Sequence, residues 1–316
     1  MSDSLVKRYE DNLLLSVETV RDYFTDETIT DLYINPDGKL FVKQFGKSRQ
    51  FTDRIIAADT VKRIINFTAS MTGQEVNEKN PVLEAIMPYF DMRMEAVIPP
   101  WVPAPCICIR KKYNRVIPLQ NWVNENRLTH RQHTFLENCI RERKNIIICG
   151  GTGSGKTTFL NSMIDTISII NPGHRLLLVE DTGEIICSAL DYTPVCVPPE
   201  STRKAIQTAM RLYPDRIIFG ELRYGKVAQE LLKAWKTDHR GGLATIHADS
   251  ARDVFSRIID LLHEVIKGRI TNRSLARVIH ACVFLQDKEE YGPEVRQIVD
   301  FEIDKATKKL LYKQII

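Results

Sequence analysis

The sequence contains no apolar run approaching the ~20 residues needed to span a bilayer. Its first twenty residues, MSDSLVKRYEDNLLLSVETV, lack the long apolar core and small-residue cleavage site of a secretory signal. Together these absences lead to the expectation of a cytoplasmic protein. An excess of charge is also lacking: 44 basic residues stand against 40 acidic ones, a formal +4. So small a balance does not by itself predict a nucleic-acid or membrane partner. The seven cysteines, at 106, 108, 139, 149, 187, 196 and 282, include no Cys-x-x-Cys pair. That spacing argues against a zinc knuckle or a redox motif and leaves buried, reduced thiols as the expectation. No internal repeat or low-complexity tract is present.

What remains is the balance of an ordinary globular protein, 43% hydrophobic and 27% charged, in a chain of 316 residues long enough for two domains. Basic residues cluster at Arg110-Lys111-Lys112, from Arg141 to Lys144 and from Lys305 to Lys309, each read as a solvated helix end or loop. The first part, 1–118, reads as a small α+β domain. Leu13, Leu14, Val17, Val20 and Phe24 form a helical stripe. Residues 30–45 alternate about the turn Asn35-Pro36-Asp37-Gly38 as a hairpin does. A helix is expected from about residue 60, capped by Asp59 or Thr60, then strands over 91–98 and 106–110 on either side of a proline-rich turn. From 119 to 316 the character changes. A helix over 129–143 leads into short apolar strands at 145–149, 175–180, 216–219 and 243–246, separated by helical patterns. Unbroken apolar strands alternating with helices imply a parallel sheet covered on both faces, the α/β class.

The strongest chemical signal is Gly150-Gly151-Thr152-Gly153-Ser154-Gly155-Lys156-Thr157, between a predicted strand and a predicted helix. A phosphate chain needs several backbone N–H groups aimed into one cavity, which glycines permit, and a helix N-terminus adds partial positive charge. Lys156 can reach the β- and γ-phosphates of a nucleotide, and the Thr157 hydroxyl can serve Mg²⁺. Such a site also needs an acidic residue on a neighbouring strand to hold Mg²⁺ or orient water. Glu180 and Glu221 stand at the carboxyl ends of predicted strands, where ligands bind in such sheets. His247 stands at a third strand end and could contact the γ-phosphate.

Together, RLLLVEDTGE (175–184), RLYPDRIIFGELR (211–223) and HRGGLATIHADS (239–250), with the glycine loop, resemble the traffic ATPases of type II and type IV secretion. They resemble the TrbB-like conjugal-transfer branch in particular, and the likeness extends to segments around Asn80, Met92, Ala104 and Leu232. It implies a RecA-like P-loop NTPase domain preceded by a smaller α+β N-terminal domain. It also implies ATP hydrolysis with Mg²⁺ by a homohexameric motor that acts with other secretion or conjugation components. Hydrolysis would rock one domain against the other.

Carried over by position, residues 150–158, including Thr158, would bind phosphates and Mg²⁺. Glu180 and Glu221 would be the acidic, metal-serving pair, with Glu221 positioning the water. His247 would sense the γ-phosphate, with His239 second. Arg93 and Arg110, or Arg216 and Arg223, would neutralise phosphate charge, in cis or in trans. Relatives tend to have glycine before and proline after the position of His239, and glycine at that of Tyr224. The zinc-binding tetracysteine element of type II enzymes is missing, which favours the type IV side. Two other readings stay open: a DNA-directed RecA-like motor of helicase or packaging type, against which the weak charge argues, and a nucleotide-gated assembly component. Any membrane attachment is expected to be peripheral, at the cytoplasmic face of the inner membrane. Arg269, Arg273 and Arg277, at four-residue spacing, offer one helical face to anionic lipid.

Overall fold

The structure, a computed structural model, describes residues 11–316 apart from 45–46, 113–114, 238, 289–291 and 305. The first ten residues, Asp238 and the leading lysine of the 305–309 cluster therefore lie outside the described residues. The chain divides into two compact units, with the change from one to the other at residues 113–114.

In the first unit, strands β1 (Ile29–Ile34), β2 (Lys39–Gln44), β3 (Gln50–Ile55), β4 (Val82–Met87), β5 (Met92–Val97) and β6 (Cys106–Arg110) form an antiparallel sheet. Its order is β3-β2-β1-β6-β5-β4. Alternation along the strands sends Leu32, Leu40, Ile107, Ile109 and Met94 to one face. There they meet Leu13 and Val17 of α1 (residues 11–17) and Val61, Ile64 and Ile65 of α3 (Ala58–Met71). Between these helices lies α2 (Arg21–Thr25), whose Phe24 completes the expected stripe. α3 starts before the expected cap: Ala57 is its N-cap, and Asp59 instead sits in the first turn, where its charge suits the helix dipole. The opposite face carries the polar partners. Arg93 lies across from Arg110 in the β5–β6 register, and Arg110 Nε donates to Asp31 at 2.9 Å.

The second unit is an eight-stranded sheet. Its strands are β7 (Ile146–Gly150), β8 (Leu176–Glu180), β9 (Tyr192–Cys196), β10 (Arg216–Leu222), β11 (Leu243–Ile246), β12 (Ala281–Lys288), β13 (Gly292–Ile303) and β14 (Leu310–Ile315), in the order β14-β13-β12-β7-β11-β10-β8-β9. From β12 to β9 every pair is parallel, whereas β12-β13-β14 is antiparallel, so the sheet is mixed rather than wholly parallel. Strand β7 is buried throughout. Its Ile146 and Ile148 face α4 (Leu119–Asn124), α5 (His130–Arg141) and α6 (Lys156–Ile170), while Ile147 and Cys149 face α7 (Thr202–Ala209), α8 (Gly225–Lys236) and α9 (Val254–His263). Helices on both faces explain the unbroken apolar strands. Thr129 caps α5 through a reciprocal pair of hydrogen bonds with Gln132. At the outer edge, Pro194 lies in the middle of β9, a residue that blunts an exposed edge against further pairing.

One expectation fails here. Helix α10 runs only from Asn272 to Leu275, so Arg269 lies before it and Arg277 after it, and the three arginines share no helical face. Among the described residues no helix is long and apolar enough to cross a membrane.

Candidate active site

Strand β7 ends at Gly150, and α6 begins at Lys156, so residues 151–155 form the loop between them. Gly153 (φ 74°) and Gly155 (φ 80°) adopt left-handed backbone that a side chain would strain. Space is as restrictive as conformation. A Cβ on Gly150 would stand 2.5 Å from the Leu285 carbonyl, and one on Gly155 would stand 2.6 Å from Pro293 Cβ. Gly155 is also the N-cap of α6, with no side chain capping it, so the first-turn N–H groups are available to an anion. The Ser154 hydroxyl is buried without a hydrogen-bond partner. A left-handed glycine loop, an uncapped helix start and an orphaned hydroxyl fit a phosphate chain. Thr152, Thr157 and Thr158 lie in the same loop and first turn.

Four adjacent parallel strands, β7, β11, β10 and β8, deliver the remaining groups at their carboxyl ends. Lys156, only 8% exposed, donates from Nζ to the carbonyls of Gly150 (3.1 Å) and Gly151 (2.8 Å). The same Nζ stands 4.0 Å from Glu221 Oε1. His247, one residue past β11, meets that oxygen through Nε2 at 2.9 Å. Burial first, and then the Lys156 charge, push His247 below the ordinary histidine pKa, so at neutral pH it is an uncharged imidazole donating to the carboxylate. The other oxygen, Oε2, accepts Arg223 Nε at 2.6 Å and also pairs with Nη2, while Arg223 Nη1 reaches Asp181 Oδ2 at 2.7 Å.

Glu180 is employed differently from the expectation. It is 6% exposed, and its carboxylate accepts the backbone N–H groups of Glu184 (2.7 Å) and Ile185 (3.1 Å) and the Thr182 hydroxyl (3.4 Å). Burial raises its pKa, and these donors work against that rise. The oxygens expected to serve a metal thus tie down their own loop. Asn161 of α6 grips the same loop, donating to the Glu184 carbonyl at 3.2 Å and accepting the Ile186 N–H at 3.0 Å. Glu184 is therefore presented on a backbone held from both sides. The sequence reading weighted Glu180 and passed over Asp181, Glu184 and Asn161. For Asp181 and Glu184 the signal was adjacency to Glu180 within one short polar run; Asn161, inside α6, carried none. Gly220 lets β10 come this near, since a Cβ there would stand 2.8 Å from Glu180 Cβ.

Two expected residues belong to the other end of the sheet. His239 precedes β11, and its Nδ1 lies 3.0 Å from the Pro214 carbonyl, ahead of β10. Arg216 begins β10 and is 1% exposed. Its guanidinium donates to His174 Nδ1 (3.0 Å) and to the carbonyls of Gly241 (2.9 Å) and Ile140 (2.8 Å), and also to Asn171 Oδ1 (2.8 Å). Helices α5 and α6 end here, and the arginine satisfies carbonyl and cap groups that such ends leave open. Both stand at the amino ends of β10 and β11, away from the glycine loop. Arg93 and Arg110 belong to the first unit, so the second unit alone brings together Lys156, Glu221, His247, Arg223 and Asp181.

Among the described residues no group of three or more His, Cys, Asp or Glu side chains could hold a metal ion. Mg²⁺ does not need one, since it takes one or two protein oxygens and completes its shell with water and phosphate. The Thr157 hydroxyl and the Glu221 carboxylate are oxygen donors of that kind.

Comparison with known proteins gives the chain its family and its fold. The conjugal transfer protein TrbB of Rhizobium radiobacter is 32% identical over 299 residues, covering 94% of this chain and 90% of that protein. The type IV secretion system protein VirB11 of Bartonella quintana (strain Toulouse) is 25% identical over 294 residues, covering 80% of this chain and 81% of that one. Among solved structures, the Legionella pneumophila ATPase DotB superposes with a TM-score of 0.62 at 16% identity, covering 95% of this chain and 79% of DotB. The pilus retraction motor PilT, solved with bound ADP, gives 0.61 at 20% identity, covering 94% of this chain and 82% of PilT. At such identities these two likenesses speak for the fold alone. Residues 16–285 match the family described as Type II/IV secretion system protein, and the chain belongs to that family.

Proposed function

We propose that this protein is an ATP-hydrolysing motor of a type IV secretion or conjugal DNA-transfer system, coupling ATP turnover to domain motion for substrate transport or pilus assembly. One observation carries the reading. Lys156, Glu221 and His247 converge at the carboxyl ends of adjacent strands, beside an uncapped helix start and a left-handed glycine loop. Its place in a secretion apparatus is supported by the relatives named TrbB and VirB11.

Backbone N–H groups of residues 151–155 and the Lys156 ammonium would hold the phosphates of ATP, compensating charge that shifts onto the leaving oxygen. Bound Mg²⁺, held through Thr157 and Glu221, would neutralise β- and γ-phosphate oxygens. Water attacks the γ-phosphorus, the bond to the bridging oxygen of ADP breaks, and a carboxylate orients the water. Glu221 is first for that task, and Glu184, carried on the loop that Glu180 and Asn161 hold, is the second candidate. Glu180 keeps the loop in place. Neutral His247 reports on the γ-phosphate through its bond to Glu221. Arg93 and Arg110 remain the proposed first-unit arginines, acting in a homohexamer. Any contact with the inner membrane would be peripheral, at its cytoplasmic face.

Steady-state turnover and nucleotide binding test this assignment. Lys156→Ala should abolish hydrolysis. Glu221→Gln should bind ATP and lose about 10²-fold or more in kcat, the range for removal of an acid–base or water-orienting group. Glu184→Gln should lose kcat with an unchanged melting temperature, whereas Glu180→Gln should lower both. A wild-type rate in Lys156→Ala or Glu221→Gln refutes the site. Strong stimulation by single-stranded DNA would favour a DNA-directed motor instead.

A further inference from the structure

Glu221 is held between two cations and an imidazole N–H. Oε2 takes two arms of Arg223, and Oε1 faces His247 Nε2 at 2.9 Å and Lys156 Nζ at 4.0 Å. The remaining arm of the guanidinium holds Asp181 at 2.7 Å. The Glu221 and Asp181 side chains are each 15% exposed, against 37% for Arg223. The carboxylates are thus walled in, while the arginine between them keeps a side open to solvent. Two cations and two carboxylates balance, so the cluster is electrostatically satisfied without any ligand. A carboxylate used in this way has little lone-pair capacity left for water or a metal ion.

Phosphate competes for the same donor. The planar guanidinium fork that fits a carboxylate also fits two phosphate oxygens, and Arg223 has a second carboxylate on which to turn. We propose that Arg223 is an exchange latch, bound to Glu221 while the site lacks nucleotide and to the γ-phosphate once ATP occupies the loop, with Asp181 as its pivot. This rests on the ATP-site reading and adds its regulation: Glu221 becomes available only when a triphosphate has drawn the arginine off. ADP, one phosphate shorter, leaves the latch closed.

The test is equilibrium binding of ATP and ADP, in EDTA, to the wild type, Glu221→Gln, Arg223→Ala and the double variant, each first checked by thermal melting. Glu221→Gln releases the guanidinium in advance, so ATP affinity should rise about fivefold relative to ADP, the equivalent of one partly exposed charge pair. Arg223→Ala should lower the preference for ATP over ADP, and in that background Glu221→Gln should no longer change it. An equal gain in both backgrounds would assign the effect to Lys156 and overturn the latch. An unchanged ATP-to-ADP ratio in Arg223→Ala would overturn it as well. If Arg223→Ala melts early, Arg223→Gln takes its place with the same outcomes, since a neutral amide has no charge to pass from carboxylate to phosphate. Failure of Lys156→Ala to weaken either nucleotide would strike the ATP-site reading itself, and so is distinguishable from failure of the latch.

Discussion

Replacing Arg216 by methionine separates a structural arginine from a phosphate-binding one. The side chain is 1% exposed, and its four hydrogen bonds run from 2.8 to 3.0 Å. Burial lowers its pKa to about 10, so it is still charged at neutral pH. Methionine fills much of the volume and removes the buried charge, which offsets part of the loss. It also strands His174 Nδ1 and Asn171 Oδ1 and weakens the satisfaction of two carbonyls, at about 1–3 kcal/mol for each buried group left unpaired. The Ile140 carbonyl keeps a second donor, the Arg143 N–H at 3.1 Å, and loses less. The net expectation is about 3 kcal/mol of destabilisation, or roughly 6–12 °C in melting temperature for a unit of this size. Hydrolysis measured well below the transition should stay near wild type, because Arg216 and Glu221 occupy opposite ends of β10. Thermal melting followed by circular dichroism, paired with a turnover assay at low temperature, checks both halves. A variant that melts like the wild type but has lost turnover would refute this account and return Arg216 to the phosphates.

Two further outcomes follow from the packing and the hydrogen bonds. His280 Nδ1 accepts the Asn145 N–H at 3.0 Å, as His174 Nδ1 accepts Arg216 Nε, and burial with nearby cations lowers both pKa values below the usual 6.5. A lowered pKa means the folded state binds fewer protons, so this stability is complete above about pH 6.5 and is lost as the pH falls through the lowered values. Melting temperature measured against pH should decline below 6.5, and a His280→Asn variant should show a shallower decline; an unchanged slope would refute the assignment. Gly225→Ala should cost about 2–4 kcal/mol by an overpacking clash, because its Cβ would stand 1.9 Å from the Leu261 carbonyl and 3.0 Å from Glu264 Oε2. The same change disturbs the bond from the Gly225 N–H to Glu264 at 3.0 Å, and a chemical melt within 0.5 kcal/mol of the wild type would contradict it.

Elements with a strong period were legible in the sequence: β1 and β2 about their turn, the β7–loop–α6 unit, and the apolar runs that became β8, β10 and β11. Elements without one were not. β3 is largely exposed at a sheet edge, β9 carries a proline at the other unit's edge, and β12 to β14 form the antiparallel part of the mixed sheet, which the strand–helix alternation did not suggest. An edge strand buries too little to impose a pattern on its residues.

The glycine loop proposed to hold phosphate could be read from the chain alone. The chemistry needs consecutive backbone N–H groups, so the whole requirement lies within residues 150–157. Glu221 and His247 were also legible, as polar residues ending apolar strands. How such residues are employed follows from contacts between strands. Glu180 and Glu221 look alike in sequence, yet one binds the N–H groups of its own loop while the other faces Lys156 and His247. That difference depends on β11 and β10 lying between β7 and β8, and strand order leaves no periodic trace along the chain. The same reason separates His247 from His239 and Arg223 from Arg216. Similar residues stand at opposite ends of the same strands, and a side chain's role follows from which end meets the loop.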